Sequence, residues 1–319
     1  MRAVGPAGLA GLAVLLAALS LVLPSYDLTL ATRILIFAVL AMSLDLLVGY
    51  TGLSSLGHAA FFGIAGYTLG LLSKNLTHNL ALTFIAAIFV SAALAAVFGA
   101  LVLRSRGVYF MMLTLALAQV VWGIAFQWRS FTGGDDGLPG IARPFIGSFQ
   151  LVDSRSFYLF TLVLFVASAS VLLLIVRSPF GLTLQGIRES GSRMSALGYN
   201  VRLHQLLAFV IAGAFAGVAG ALLALQAGIT TPASLGLLTG AEALLMVLLG
   251  GAGTMVGPFI GAIAVVLLEF IVSAHTDRWQ SVLGIIYILV VIGAPSGIYP
   301  PLRSGWIRLW GSLRFSATD

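Results

Sequence analysis

The 319 residues are 60% hydrophobic and only 8% charged, with a mean hydropathy of +1.10. Soluble domains carry about a quarter charged residues, and a soluble globule of this size would need far more polar surface to cover its core. A soluble enzyme, a nucleic-acid-binding protein and a disordered chain are therefore excluded, and the chain is an integral membrane protein. The net charge of +6 and pI near 10.1 fit the positive-inside bias of membrane loops and call for no nucleic acid. With no cysteine present, disulfides and thiolate chemistry are ruled out.

A crossing helix needs about 20 mostly apolar residues, so the expected fold is all-α and polytopic, a single transmembrane domain over 1–319. The first apolar run, 5–23 behind Arg2, reads as a retained span: it is long for a signal sequence and no small-x-small cleavage site follows. Further apolar segments lie at 34–48, 59–72, 80–103, 108–126 and 157–176, then at 206–225, 241–249, 258–274 and 282–298, ten in all. The third and eighth are too short to span upright and are flanked by Gly-rich turns, the pattern of re-entrant or broken helices.

The basic residues orient this chain. With both termini inside, Arg2, Arg104, Arg106, Arg177, Arg188, Arg193, Arg202, Arg303, Arg308 and Arg314 fall on the inner side, ten of the sixteen. Arg33, Lys74, Arg129, Arg143, Arg155 and Arg278 fall outside. Three stretches are hydrophilic: an outer loop at 127–156 with Thr-Gly-Gly-Asp-Asp-Gly-Leu-Pro-Gly at its centre, an inner loop at 177–204, and an inner tail at 303–319.

In the inner loop, the Pro-Phe-Gly turn at 179–181 and Gly198 bound a helical pattern over 182–197. Leu184, Ile187, Gly191, Met194 and Gly198 share one stripe, and Glu189 and Arg193 stand four apart in the favourable order for an ion pair. Such a helix either lies on lipid headgroups or docks in a groove of a soluble partner. The periodicity does not choose between them.

Two glycine- and hydroxyl-rich breaks interrupt the hydrophobic sequence. The first, 49–58, holds Thr51, Gly52, Ser54, Ser55 and His58; the second, 228–240, holds Pro-Ala-Ser-Leu-Gly ending at Gly236. Irregular backbone in a membrane is tolerated where it lines protein or water. Paired broken segments also point to a translocation pathway between inverted repeats, although a shared Ser-Leu-Gly is also what chance gives in so Gly- and Leu-rich a chain. These residues are the candidate pathway.

Gly213, Gly217 and Gly220, and later Gly253, Gly257 and Gly261, give the small-residue spacing of closely packed membrane helices. The run 250–257 lacks the Lys and Ser/Thr of a phosphate-binding loop, so the chain carries no ATP motif. Energy for active transport would come from another subunit or from an ion gradient. The ionisable residues Asp45, Glu242 and Glu269 suit the second case, a stand-alone ion-coupled transporter; a passive channel is the third. No metal-ligand set, nucleophile elbow or paired acid/base site is present in the sequence, so neither enzyme activity nor a cofactor is expected.

Five segments, in order, carry a family resemblance: 44–67 (LDLLVGYTGLSSLGHAAFFGIAGY), 104–122 (RSRGVYFMMLTLALAQVVW), 131–141 (FTGGDDGLPGI), 178–224 and 248–262 (LLGGAGTMVGPFIGA). Together they resemble the permease subunits of ABC importers for branched-chain amino acids, in the LivM-like branch. The resemblance implies that the inner-loop helix is a coupling helix seated in a cytosolic ATPase, with Arg188, Glu189, Arg193, Leu197 and Gly198 at the recurrent positions. It also implies the partners: a second related permease, two ABC ATPase subunits that bind the ATP, and an extracytoplasmic solute-binding protein. The location implied is a bacterial inner membrane. The chain departs from the pattern at Asp45, where Asn is usual, and at Gln119, where Glu is usual.

Overall fold

Backbone in lipid must satisfy its N–H and C=O groups internally, and this chain does so almost entirely with helices. The computed structural model describes residues 6–76, 79–141, 145–146, 149–150, 153–276, 278–293 and 297. In order the helices are α1 (Pro6–Val22), α2 (Ser25–Asp45), α3 (His58–Asn75), α4 (Leu80–Val102), α5 (Val108–Gln127) and the single turn α6 (Arg129–Thr132). They continue as α7 (Ser154–Arg177), α8 (Pro179–Ala196), α9 (Val201–Ala227), α10 (Leu237–Gly250), α11 (Gly257–Ser273) and α12 (Trp279–Gly293). A π-helical turn, Leu46–Thr51, prolongs α2.

The all-α polytopic expectation holds; of the ten expected apolar segments, two of them expected to be short or broken, not all are confirmed as spans. Five helices among the described residues are long and apolar enough to cross a membrane: Ser25–Thr51, Leu80–Val102, Val108–Gln127, Ser154–Arg177 and Val201–Ala227. Ala10–Val22, Leu237–Gly250 and Gly257–Ser273 are apolar but shorter. The third segment is longer than its apolar run suggests, because α3 extends to 18 residues through Ser73, Lys74 and Asn75. Those ends, His58 and three glycines dilute its hydropathy. The tail 303–319 lies outside the described residues, as does Arg143 of the outer loop.

The 127–156 stretch is not one open loop. It holds α6, a 3₁₀ turn at Gly134–Asp136 and the two-residue strand β1 (Leu138–Pro139). Strand β1 pairs antiparallel with β4 (Ile229–Thr230), joining this segment to the second helix break. Between them in sequence, β2 (Phe145–Ile146) and β3 (Phe149–Gln150) form a short hairpin.

Helix α2 is the axis of the bundle: 94% of its most apolar stretch is buried, against 22% for α5. Around it the small-residue stripes set the packing. Gly213 of α9 faces Ala95 of α4, Gly217 faces Ser91, and Gly220 lies against the Phe62 carbonyl of α3. The buried Ser91 hydroxyl sits 2.9 Å from the Phe61 carbonyl and 2.8 Å from the Gly213 carbonyl, so one side chain ties α4 to both neighbours. Hydrophobicity gives helices no net attraction in lipid, and close backbone contact with such polar ties takes its place. Phe61 fills the gap beside them, edge-on to Phe98 at 5.2 Å and to Phe209 at 5.7 Å.

A side chain at position 220 has no room, because its first carbon would overlap a backbone carbonyl that cannot swing away. Gly220→Val is expected to lower the stability of the detergent-solubilised protein by about 1–3 kcal/mol or more, read as a lower melting temperature. Gly123→Ala, with nothing within 4 Å of the added carbon, is expected to leave it unchanged.

Candidate functional site

The first break begins as a change of helical pitch. After Asp45, the π-turn Leu46–Thr51 closes with the Thr51 hydroxyl donating to the Leu46 and Leu47 carbonyls (2.9 and 2.7 Å). Gly52 then turns the chain at φ 73°. Single π-turns inside α-helices are typical of functional sites. Here the widened turn brings the Gly49 backbone against the loop between α10 and α11.

Gly49 is needed for that approach: a first side-chain carbon would overlap both an Asp45 carboxylate oxygen and the Gly253 nitrogen. The fully buried Asp45 accepts hydrogen bonds from the Gly253 N–H (2.7 Å) and the Met255 N–H (3.2 Å). Met255 holds φ 57°, left-handed backbone that a side chain disfavours, and the carboxylate bond helps to hold it there. A bare carboxylate in this interior would be very costly. Two N–H donors and the nearby positive charge of Arg188 offset part of that cost.

Arg188 comes from the inner-loop helix. Its Nη1 donates to the Gly49 carbonyl, and its stem covers Gly52, with Cγ 3.0 Å from where a Gly52 side chain would begin. The inner-loop helix is therefore bonded directly to the broken part of α2.

Helix α8 starts three residues before the expected 182: the Pro-Phe-Gly stretch read as a turn is its first turn, because Pro179 suits the first helical position and the Ser178 hydroxyl accepts from the Gly181 N–H at 3.5 Å. It is not a single rod. Ser190 is non-helical (φ −162°, ψ 99°) and divides it, its hydroxyl accepting from the Arg193 N–H at 3.4 Å as the cap of a second short piece. The kink falls between Glu189 and Arg193, so the ion pair expected from their spacing does not form among the described residues. Both side chains are exposed, as is Leu197 at 72%, and Gly198 turns the chain at φ 88° with open space around it. All five expected coupling residues are exposed, and Arg188 alone among them bonds to α2's broken end, through the Gly49 carbonyl.

The candidate pathway residues separate in the same way. Ser55 is buried, its hydroxyl accepting from the Gly57 N–H at 3.2 Å, and Ser54 is exposed. His58 opens α3 fully buried, with Nε2 2.8 Å from the Ser43 hydroxyl. Since that hydroxyl donates to the Leu40 carbonyl (2.7 Å), its oxygen takes the Nε2–H, and Nδ1 is left without a partner. Thr51, Ser55 and His58 are thus engaged in holding the break together.

Gly236 lies elsewhere, as the residue before α10, on the wall of a cavity of about 750 Å³. That cavity also exposes Arg33, Gln119, Glu242 and Glu269. Arg33, expected in an outer loop, is inside α2 and pairs through Nη2 with Glu269 of α11 at 2.9 and 3.1 Å. The two breaks nevertheless touch, since Gly240 of α10 stands against the Leu56 carbonyl.

Sequence reasoning passed over the Asp45–Gly253 link. The signal was present: an acidic residue deep in a hydrophobic segment and a glycine-rich loop with free N–H groups are complementary.

Comparison with known proteins decides the family. Residues 27–292 match the family described as "Branched-chain amino acid transport system / permease component". The chain belongs to it. This permease is 30% identical over 303 residues to the high-affinity branched-chain amino acid transport system permease protein LivM of Escherichia coli, covering 86% of this chain and 70% of that one. It is also 30% identical over 299 residues to the LivM protein of Salmonella typhimurium. Likeness to the E. coli LivH permease is 26% over 280 residues, covering 82% of this chain and 90% of that one. No solved structure matches it. The permease is a multi-pass membrane transport component and not a catalytic enzyme.

The Asp45 links can be tested by substitution. Asp45→Leu leaves two buried N–H groups unpaired and is expected to cost about 1–3 kcal/mol for each, read as a lower melting temperature in detergent. Asp45→Asn keeps one acceptor oxygen and is expected to retain most of the stability. Equal melting temperatures for wild type and Asp45→Leu would remove the carboxylate from the structural role.

Proposed function

We propose that this permease is one half of the translocation pore of an ABC importer that carries branched-chain amino acids inward by alternating access. It works beside a second, related permease, with two cytosolic ATPase subunits and an extracytoplasmic solute-binding protein. It sits in a bacterial cytoplasmic membrane with both termini and the 303–319 tail on the cytosolic side. ATP is held by the ATPase subunits, and this chain needs no cofactor of its own.

Family membership supports the class, and the Arg188–Gly49 hydrogen bond carries the mechanism. In this reading α8 is the coupling helix. Its solvent face, with Glu189, Arg193, Leu197 and Gly198, meets the ATPase, and Arg188 passes the movement of α8 to the π-turn. The π-turn is the natural point of yielding, because its backbone already departs from α-helical pairing. Thr51, Gly52, Ser54, Ser55 and His58 then form the moving break, and Gly236 borders the cavity that opens or closes with it. Contact between the two breaks supports an inverted-repeat relation between their halves.

A stand-alone ion-coupled transporter would need free intramembrane carboxylates. Asp45 is engaged by two backbone N–H groups and Glu269 by Arg33, while Glu242 makes no such bond among the described residues, so it is family membership that weighs against that alternative.

Uptake of L-leucine by proteoliposomes holding the complete transporter is expected to require ATP and to survive a protonophore. Uptake that needs no ATP and collapses with the proton gradient would overturn the proposal, as would a tagged permease that brings down no ATPase subunit. Arg188→Ala is expected to reduce uptake by about tenfold, equivalent to ~1.4 kcal/mol at the coupling step, while ATP hydrolysis continues. Equal loss of hydrolysis and uptake would show that Arg188 serves assembly and not transmission.

A further inference from the structure

The cavity beside Gly236 lies toward the opposite end of α2 from α8, since Arg33 precedes Asp45 by about 18 Å along the helix at ~1.5 Å per residue. Its wall has two characters. Phe37, Phe62, Leu115, Trp122 and Leu223 make an apolar side. Arg33, Glu242 and Glu269 bring formal charges to the same space.

These groups are not fully paired among themselves. Arg33 uses Nη2 on Glu269 and sets its guanidinium over the Phe37 ring at 5.5 Å, while Nη1 and Nε make no hydrogen bond among the described residues. Glu242 makes no hydrogen bond or ion pair among the described residues, and the charged groups it faces are Glu269 and Arg33. One guanidinium faces two carboxyl groups beside an apolar wall, so the wall holds carboxyl oxygens that no donor among the described residues uses and that an ammonium would engage. Free guanidinium N–H groups a short way off offer a carboxylate charge-assisted hydrogen bonds.

We infer that this cavity is a seat for a small amphiphilic zwitterion: Glu242, with Glu269, takes its ammonium, Arg33 takes its carboxylate, and the aromatic and aliphatic wall takes its side chain. The inference rests on the importer reading and deepens it by placing part of the selectivity in the permease itself. A simple carboxylate would leave those carboxyl oxygens unused, and a simple amine would leave the free Arg33 donors unused. Gln119, Ser234 and Thr239 border the cavity with neutral polar groups, so the ionisable partners come from the triad alone.

The natural absence of cysteine makes the cavity directly measurable. A single cysteine at Thr239, or at Ser234 as a second reporter, is labelled in the purified complete transporter without ATP, and the modification of this chain is read by mass. Cationic methanethiosulfonate is expected to react faster than the anionic sulfonate reagent by about tenfold or more. Glu242→Gln is expected to remove most of that preference and Glu242→Asp to retain it. L-leucine is expected to protect the cysteine better than 4-methylpentanoate, which lacks the ammonium, and better than 3-methylbutylamine, which lacks the carboxylate.

Equal reaction of the two reagents, equal protection by all three compounds, or protection by sodium or protons in place of leucine would each overturn the site. ATP-dependent uptake by the same preparation separates the two ideas. If uptake holds and leucine gives no selective protection, the site fails and the importer stands. If leucine protects selectively but uptake is independent of ATP, the site stands and the importer reading fails.

Discussion

A buried carboxylate that must be neutralised by backbone sets the architecture of the permease. Asp45 has no reason to exist in the most deeply buried helix unless something meets it, and what meets it is a pair of N–H groups on the loop between α10 and α11. That requirement brings the loop to α2, makes glycine necessary at position 49, and accounts for the left-handed backbone at Met255. It also keeps the Gly49 carbonyl free for Arg188, since a π-turn leaves backbone acceptors that a regular helix would use. Three parts of the chain far apart in sequence thus converge on one turn of backbone.

The helix packing elsewhere has a different basis. Between α3, α4 and α9 the contacts are backbone against small residues, with Ser91 as the polar tie and the Phe61 cluster filling the remaining volume. Such an interface gives little at its tightest points, because Gly220 meets a backbone carbonyl and Gly213 the Cβ of Ala95, neither of which can swing away. The α2–α8–loop junction depends on a few directed hydrogen bonds, and these exchange partners more readily than close-packed backbone. The division suggests where movement is possible: a firm slab of α3, α4 and α9 beside a hinged α2.

Much of this was legible in the sequence because it follows from solvent and spacing. Composition placed the chain in a membrane, the Gly and Ala intervals foretold the α9 packing, and Gly198 marked the end of α8, although its start lies at Pro179 and not after the Pro-Phe-Gly stretch. The glycine breaks around 49–58 and 228–240 were also visible as interruptions. What the sequence withheld depends on contacts across long separations. Nothing local says that Arg33 pairs with Glu269, 236 positions away, or that Asp45 meets residue 253. The kink at Ser190 was hidden for another reason. A Ser followed by Gly is compatible with continuing helix and with a new cap, and tertiary context chose the cap, removing the Glu189–Arg193 pair. Likewise an apolar run of 14 to 17 residues announces burial without saying whether it crosses, so the ten apolar segments read from the sequence do not translate into a count of spans.

The position of α2 connects the charged cavity with the α8 junction. One end carries Arg33 into the charged cavity, and the other carries Gly49 and Asp45 to the contact with α8. A helix transmits displacement along its axis far better than a loop, since stretching it breaks hydrogen bonds in series. If the coupling helix pulls on Arg188, the π-turn yields first, and a register shift of α2 would move Arg33 against a Glu269 fixed on α11. The cavity would then lose the one cation that lines it among the described residues. Charge balance in the cavity and the position of α8 would therefore be two readouts of one helix, without a separate gate between them.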